Sequence, residues 1–433
     1  MSLNTVLPID RDSIAQLSAR KQEPQWMQDL RVQALESAGS LELPKLEKTR
    51  IDRWKLDAFG SYKETALWTD VNQLPQQVRD LLQEDGDAAS VLVQRNSGLA
   101  FKHVSDRLAA QGVVFTDLES ALQTHCDLVR KHFLSVVKAD ENRLTALHAA
   151  MWNGGVFLYV PRGVQVDLPL QALFYADDAD AAIAPHVLIV AEANSSVTYV
   201  DNYFSADGLE LVHNGVVEVI AKPGAQVTFA SIHNFGAGAT DITYRRAVLE
   251  NDSKIEWIIG ELNSGNAMAD TTSILKGNGS DSDAKVISVG RGEQKLNQTT
   301  RAVHYGKATP SQMITRAVMK EEATAIINGI TKIEKGATGA NGQQTERVLM
   351  LSPRARGDAN PILLIDEDDV KAGHAASVGQ INPEQIYYLM SRGVPRVEAE
   401  RLVIYGFLAP VISEVPLESV RKQLEALVER KLG

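Results

Sequence analysis

The feature that most restricts this chain begins near Leu147. From there about 200 residues alternate short strands with turns and never pass through a helical crossover. Gly, Asn, Asp and Pro punctuate the strands. Within them apolar and polar residues alternate, as in Val216–Ile220 and Lys254–Ile258, so one face of each strand is apolar. Parallel strands in a doubly wound sheet need a crossover helix, which this stretch lacks. A sandwich, a barrel or a solenoid remains.

The turns favour a solenoid. Glu192–Val197, Lys222–Val227 and Asn251–Ile255 share one form: a strand, a small or polar turn, then a β-branched residue opening the next strand. Val197 and Val227 lie 30 residues apart, Val227 and Ile255 28 apart, and Val286 follows 31 later. A fixed turn chemistry at a period near 30 residues fits the coils of a β-solenoid, whose exposed ends require caps. The flanking segments supply candidate caps. Residues 1–145 read as a mostly helical α/β domain. It opens with a helix capped by Asp12 or Ser13 and a second helix from Pro24 to before Gly39, and it holds a strand at Ser90–Gln94 and one long helix over Asp117–Val137. Residues 146–380 form the β core. Residues 381–433 contain three helical segments, from Pro383, from near Pro395 to before Pro410, and from Pro416.

Charge and motifs exclude several functions. Lysine and arginine total 44 against 55 acids, a net of −11, so no domain-wide basic field favours nucleic acid. No apolar run is long enough to cross a bilayer, and the first residues lack an export signal; a cytoplasmic protein is expected. The single cysteine, Cys126, admits no internal disulfide or thiolate metal site and reads as a filler beside an apolar helix face. Phosphate-loop, nucleophile-elbow and zinc-protease motifs are absent. A β-helix enzyme acting on polysaccharide would need paired carboxylates, for which Asp281, Asp283 and Glu293 with Arg291 are the available set. Their spacing does not distinguish them from solvated turn charges.

One histidine stands apart. Pro361–Ile365 reads as a strand, Asp366–Asp369 as the solvated end of a coil, and Asn382 with Pro383 as a helix start. Between them His374 sits among Ala372, Gly373, Ala375, Ala376 and Ser377. A neutral imidazole with small neighbours can approach a metal or a partner backbone. It can equally be a hydrogen-bonded residue where the last strand meets the first C-terminal helix. The residues alone leave both readings open.

Three segments, Ser18–Glu36, Leu147–Val164 and above all Asp366–Phe407, resemble the SufB/SufD family of scaffold components in SUF iron–sulfur cluster assembly. The resemblance spans nearly the whole chain. It is nearer the SufD branch, because SufB-type chains carry a cluster-ligating cysteine in the C-terminal half and this chain has none there. The resemblance implies a mainly β fold: a right-handed parallel β-helix between helical terminal domains. It implies a non-catalytic scaffold that pairs with a SufB-like subunit and docks a SufC-like ABC ATPase on its C-terminal helices; the sequence leaves open whether the chain also forms a homodimer in isolation. It implies that His374, in the segment Lys371–Ala375, lies at the SufB–SufD interface beside a SufB thiolate. No cofactor is then held by this chain alone, and a transient iron–sulfur cluster forms at that interface. Ala372 stands where some relatives have cysteine, so any thiolate comes from the partner. Tyr387, Tyr388, Met390, Arg392, Tyr405 and Phe407 are the expected ATPase-docking residues, being the side-chain types that anchor interfaces.

Overall fold

In a computed structural model the chain is described over residues 9–56, 58–82, 90–415 and 418–432. Among the described residues nineteen strands fall in chain order. The first six are β1 (Ser90–Arg95), β2 (Gly98–His103), β3 (Val114–Asp117), β4 (Gly155–Val160), β5 (Leu170–Ala176) and β6 (His186–Ala191). Next come β7 (Ser196–Ser205), β8 (Leu211–Ala221), β9 (Gln226–Asn234), β10 (Ala239–Leu249), β11 (Lys254–Glu261), β12 (Asn266–Leu275) and β13 (Asp281–Gly290). The last are β14 (Lys295–His304), β15 (Pro310–Met319), β16 (Thr324–Ile333), β17 (Asn341–Met350), β18 (Arg356–Ile365) and β19 (Lys371–Gln380). From β4 onward, odd strands stack into one sheet and even strands into the other. Neighbours are parallel, and among the described residues only the strand pairs β1–β2 and β3–β4 are antiparallel. Each coil therefore places one strand in each sheet, which is the expected mainly β, parallel solenoid. Strands β1 to β3, from the region read as N-terminal domain, extend both sheets at the first coil.

The repeat seen in sequence is the register itself. Val197 pairs with Val227, and Val227 with Ile255. The next equivalent is Ser282, not Val286, which pairs with Ile259. The apolar position shrinks along the chain to Ser282, Ser311, Gly342 and Ala372, which hides the period from a hydrophobic pattern. The turns keep it better. Asn194, Gly224, Asp252, Gly279, Ala308 and Gly339 all adopt a left-handed backbone at equivalent turns. Their N–H groups donate in succession to the carbonyls of Pro223, Asn251, Asn278, Lys307, Thr338 and Asp369, at 2.7–2.9 Å. A left-handed residue, with a small residue after it, is what lets one turn sit directly on the next.

Inward side chains fill the lumen between the sheets, led by Tyr199, Phe229, Trp257, Val187 and Ile255. The outer faces are covered by helices. Toward the N-terminal end α1 (Arg11–Arg20), α2 (Gln25–Ser40), α3 (Gln76–Arg79), α4 (Asp106–Ala110), α5 (Leu118–Thr124), α6 (Cys126–His132) and α7 (Arg143–Met151) occur in order. Several of these, with Ile14, Met27 and Leu147, cover the even sheet at Leu188, Val216 and Ile242. At the other end α8 (Pro383–Ser391), α9 (Arg396–Ile412) and α10 (Glu418–Leu432) follow. Ile404, Leu408, Val411, Leu424 and Val428 of α9 and α10 cover the odd sheet at Ile258, Ile287 and Val318.

Several expected boundaries move, each for a physical reason. The first helix is capped by Asp10, whose carboxylate accepts from Ser13 N at 2.8 Å. The second runs through Gly39 to Ser40, anchored by the buried Ala38. The single long helix over Asp117–Val137 is two short ones broken at His125, followed by an irregular loop. In that loop the N–H groups of Leu134, Val136 and Val137 point into the carboxylate of Glu218 instead of continuing a helix. Helix α9 passes Pro410 because Val411 and Ile412 are buried beyond it. Pro416 and Leu417, the expected start of the third C-terminal helix, lie outside the described residues.

Candidate functional site at the open end of the solenoid

Strands β18 and β19 form the last coil. Each has a strand partner on one side only, β16 and β17 respectively, so their other backbone edges are unpaired by any strand among the described residues. Earlier strands are largely buried, whereas β19 is mostly exposed, as are Ile362, Leu364, Ile365 and Val378. An unpaired, partly apolar edge is a template for a further strand.

His374 lies within β19 rather than at a strand–helix junction. It pairs in register with Gln344, which is buried and faces the lumen. His374 therefore continues the inward column of β17, and it is exposed because no further coil covers it. Strand β19 was missed in sequence because its small residues carry no hydrophobic alternation. The turn spacing was the usable signal, since Gly339 and Asp369 are 30 residues apart and joined by a 2.7 Å hydrogen bond. The acid run is a coil end, but Glu367 is turned inward and accepts from Gly336 N at 2.8 Å.

The layer beneath is polar. Thr331 Oγ1 donates to Gln344 Oε1 at 3.0 Å. Two residues on, Glu346 is buried in register with Ala376. Its carboxylate fills the space left by Gly329, where a Cβ would lie 1.8 Å from Oε1. Glu346 Oε2 has no hydrogen-bond partner. Burial pushes the Glu346 carboxyl up to about 7.

Helix α8 begins beside this end. Asn382 caps it, accepting from Glu384 N at 2.8 Å, with Pro383 in the first turn and Gly393 beyond the end at φ +88. Tyr387, Tyr388, Met390 and Arg392 are exposed, and the Arg392 guanidinium lies 5.3 Å from the Tyr388 ring. Tyr405 and Phe407 are partly buried and engaged within the chain. Tyr405 Oη donates to Glu425 O at 3.2 Å, and Phe407 packs under Arg316. Two of the carboxylates considered for glycan cleavage, and the arginine, are held in ion pairs with other residues. Asp281 pairs with Lys254, Asp283 with Lys285, and Arg291 with Glu321.

Two buried histidine networks gave no sequence signal. In the first, His148 Nδ1 lies 2.8 Å from the carbonyl of Asn214, His148 Nε2 3.0 Å from His186 Nδ1, and His186 Nε2 3.1 Å from Glu218 Oε2. A carbonyl only accepts, so His148 Nδ1 donates, His148 Nε2 accepts, and His186 Nδ1 donates. One further proton between His186 and Glu218 completes the chain. Burial, with His186 adjacent, holds His148 well below the usual imidazole range. The second network is centred on Asp241. Its Oδ1 lies 2.7 Å from His213 Nδ1 and its Oδ2 2.7 Å from His233 Nδ1, while Thr243 and Asn263 also donate to it. Burial opposes ionisation of Asp241, but His233 and His213 hold its carboxyl well below the ordinary range.

Residues 174–407 match the family model of the SUF system FeS cluster assembly SufBD core domain, and residues 15–172 that of the SufBD protein N-terminal region. The chain is 48% identical over 436 residues to the iron–sulfur cluster assembly protein SufD of Bacillus subtilis (strain 168), with both chains covered in full. It is 29% identical over 422 residues to SufB of the same organism, covering 95% of this chain and 90% of that one. An iron–sulfur cluster assembly SufBD family protein of Staphylococcus epidermidis is 29% identical over 417 residues, with 94% and 89% covered. No helix among the described residues is long and apolar enough to cross a membrane. A two-sheet solenoid with an open, histidine-bearing end and matches along almost its entire length make this chain a member of the SufBD family of iron–sulfur cluster assembly proteins and a homologue of SufD.

Proposed function

We propose that this chain is a non-catalytic scaffold subunit that completes a cluster-assembly site with a SufB-like partner and docks a SufC-like ATPase. The observation that carries it is the placement of His374 on the lumen column of an uncovered terminal coil. A second solenoid meeting the free edges of β18 and β19 would pair their backbones, bury Ile362, Leu364 and Val378, and bring its own side chains against His374. The partner supplies thiolate, because this chain's Cys126 lies on α6 in the N-terminal region. The cluster is cargo. His374 offers it one imidazole nitrogen, a ligand more readily exchanged than a fourth thiolate.

His374→Ala in the reconstituted complex is expected to lower cluster formation and its transfer to an apo-acceptor, read by cluster absorbance, while the subunits still co-elute. Unchanged assembly and transfer would remove the ligand role. For the ATPase the exposed face of α8 is the anchor. Replacing Tyr387 and Tyr388 together by Ala is expected to weaken ATPase capture at least about tenfold, since exposed aromatics dominate interface energies. Full retention of capture would move the docking surface elsewhere.

A further inference from the structure

We infer that His213, His233 and Asp241 form a lumenal site for one borderline first-row divalent ion, of the Fe²⁺, Co²⁺ or Zn²⁺ class, separate from His374. The site is internal. His213 and His233 are fully buried, and Asp241 is nearly so. One ligand atom from each lies within 4.8 Å of the others, on β8, β9 and β10 of adjoining coils. Two imidazoles and one carboxylate are a donor set for such ions. From β9 to β19 is five coil steps in the odd sheet, about 24 Å at the usual strand spacing, so the two sites share no ligand.

Charge is the first argument for an ion. Within this stretch of lumen Asp201, Asp241 and Glu261 are buried carboxylates, and Arg245 is the buried guanidinium among them. With neutral imidazoles, Arg245 offsets Glu261 and leaves the Asp241 carboxylate, with Asp201 beside it, for a divalent ion to balance. Burial pushes the Asp201 carboxyl up to about 6, and a cation bound nearby would favour its ionised form. Uncompensated buried charge costs several kcal/mol, which a counter-ion in the lumen would offset.

The second argument is the pattern of unpartnered atoms. Without an ion, Arg245 Nη2 lies 2.8 Å from His233 Nε2, which fixes that nitrogen as an acceptor and puts the proton on Nδ1. This leaves His213 Nε2, Arg245 Nε and Glu261 Oε2 buried with no hydrogen-bond partner. Ion binding at the two Nδ1 atoms requires each imidazole proton to sit on Nε2 or to leave. On His213 the Nε2 position is free to take it. On His233 the Arg245 guanidinium must withdraw, and Glu261 is where it goes. Arg245 Nη1 already donates to Glu261 Oε1 at 3.0 Å, and Nη2, once released from His233, can turn to the unpartnered Oε2 and complete a two-pronged contact. Gly215 makes room for the His213 ring, since a Cβ there would lie 2.6 Å from its Cε1. Tyr203 and Phe235, whose rings stand 5.0 and 5.1 Å from that of His213, also line a groove of about 580 Å³ beneath α10. One aromatic layer separates the site from that groove.

The test uses the full chain carrying His374→Ala, so that the terminal coil contributes no imidazole. Metal-free protein is titrated anaerobically with Co²⁺ and followed by visible d–d absorption, and the loaded form is examined by X-ray absorption. The expected result is one tightly held Co²⁺ per chain with two imidazole nitrogens in its shell. Adding His213→Asn is expected to weaken binding by about 100-fold or more. Absence of tight binding in the His374→Ala chain overturns the inference, as does a shell without paired imidazoles. A d–d spectrum and affinity unaltered by a folded His213→Asn variant would also overturn it. Should that variant not fold, the two-imidazole shell and its stoichiometry in the His374→Ala chain decide alone.

Discussion

Glu218→Gln is expected to destabilise the protein by about 3–5 kcal/mol, the range for breaking a fully desolvated ion pair from one side. Glu218 is buried where the N-terminal region meets the even sheet. Its Oε1 accepts from Val136 N and Val137 N at 2.6 and 3.0 Å, and its Oε2 from Leu134 N at 2.6 Å. The same Oε2 closes the His148–His186 chain. An amide keeps one acceptor and turns its NH₂ toward groups that donate. Whichever oxygen is replaced, either Val136 and Val137 or Leu134 and His186 then face an NH₂ in place of an acceptor, and His186 loses its anion. Chemical unfolding should show a lower midpoint. A change below about 1 kcal/mol would mean that the loop is held by apolar packing and not by this carboxylate.

Glu346→Gln is expected to do the opposite. This glutamate is as deeply buried, but its Oε2 lacks any partner. Burial raises its carboxyl from 4.5 to about 7. An acid raised in this way keeps its proton longer in the folded chain than in the unfolded one. Between pH 4.5 and 7 the unfolded chain has the fewer bound protons, so stability falls as pH rises through that window. Above it the folded state carries a constant deficit, at most about 3 kcal/mol for a shift of this size. Glutamine fills the same space without the charge. The variant should gain about 2–3 kcal/mol at pH 8, the gain vanishing below pH 4.5, as measured by unfolding midpoints across pH. Equal stabilities at pH 8 would mean that water or a partner group already satisfies the carboxylate.

The contrast between these two glutamates shows what sequence conveys and what it does not. Both sit on strands of ordinary alternation, and nothing near either one marks it as buried. The solenoid was legible because turn chemistry is local: Asn194, Gly224 and Asp252 declare a left-handed turn wherever they stand. The cap at Asn382 was legible for the same reason. The end of α6 at His132 was not, because it depends on Glu218 of β8 drawing away backbone donors that a longer helix would have used. Strand β19 was hidden because Ala372, Gly373, Ala375 and Ala376 are small, and coil period alone gives its place. The Asp241 network was invisible for a deeper reason. His213, His233, Asp241 and Arg245 are brought together by stacking of coils near 30 residues long, and no spacing rule for metal or catalytic motifs has that period.

The ladder of left-handed turns has an electrical consequence. Peptides such as Pro223–Gly224, Asn251–Asp252 and Asn278–Gly279 each accept from the coil before and donate to the coil after, so their dipoles point one way along the axis. The column behaves like one edge of a long helix laid along the molecule, with its positive pole at the last coil. There it runs out at the Asp369–Val370 peptide, beside the carboxylates of Asp366, Glu367 and Asp368. Those acids sit where the pole favours anions, and any chain that stacks on this end meets an aligned amide awaiting an acceptor. Orientation of the incoming subunit is thereby biased before a single side chain touches.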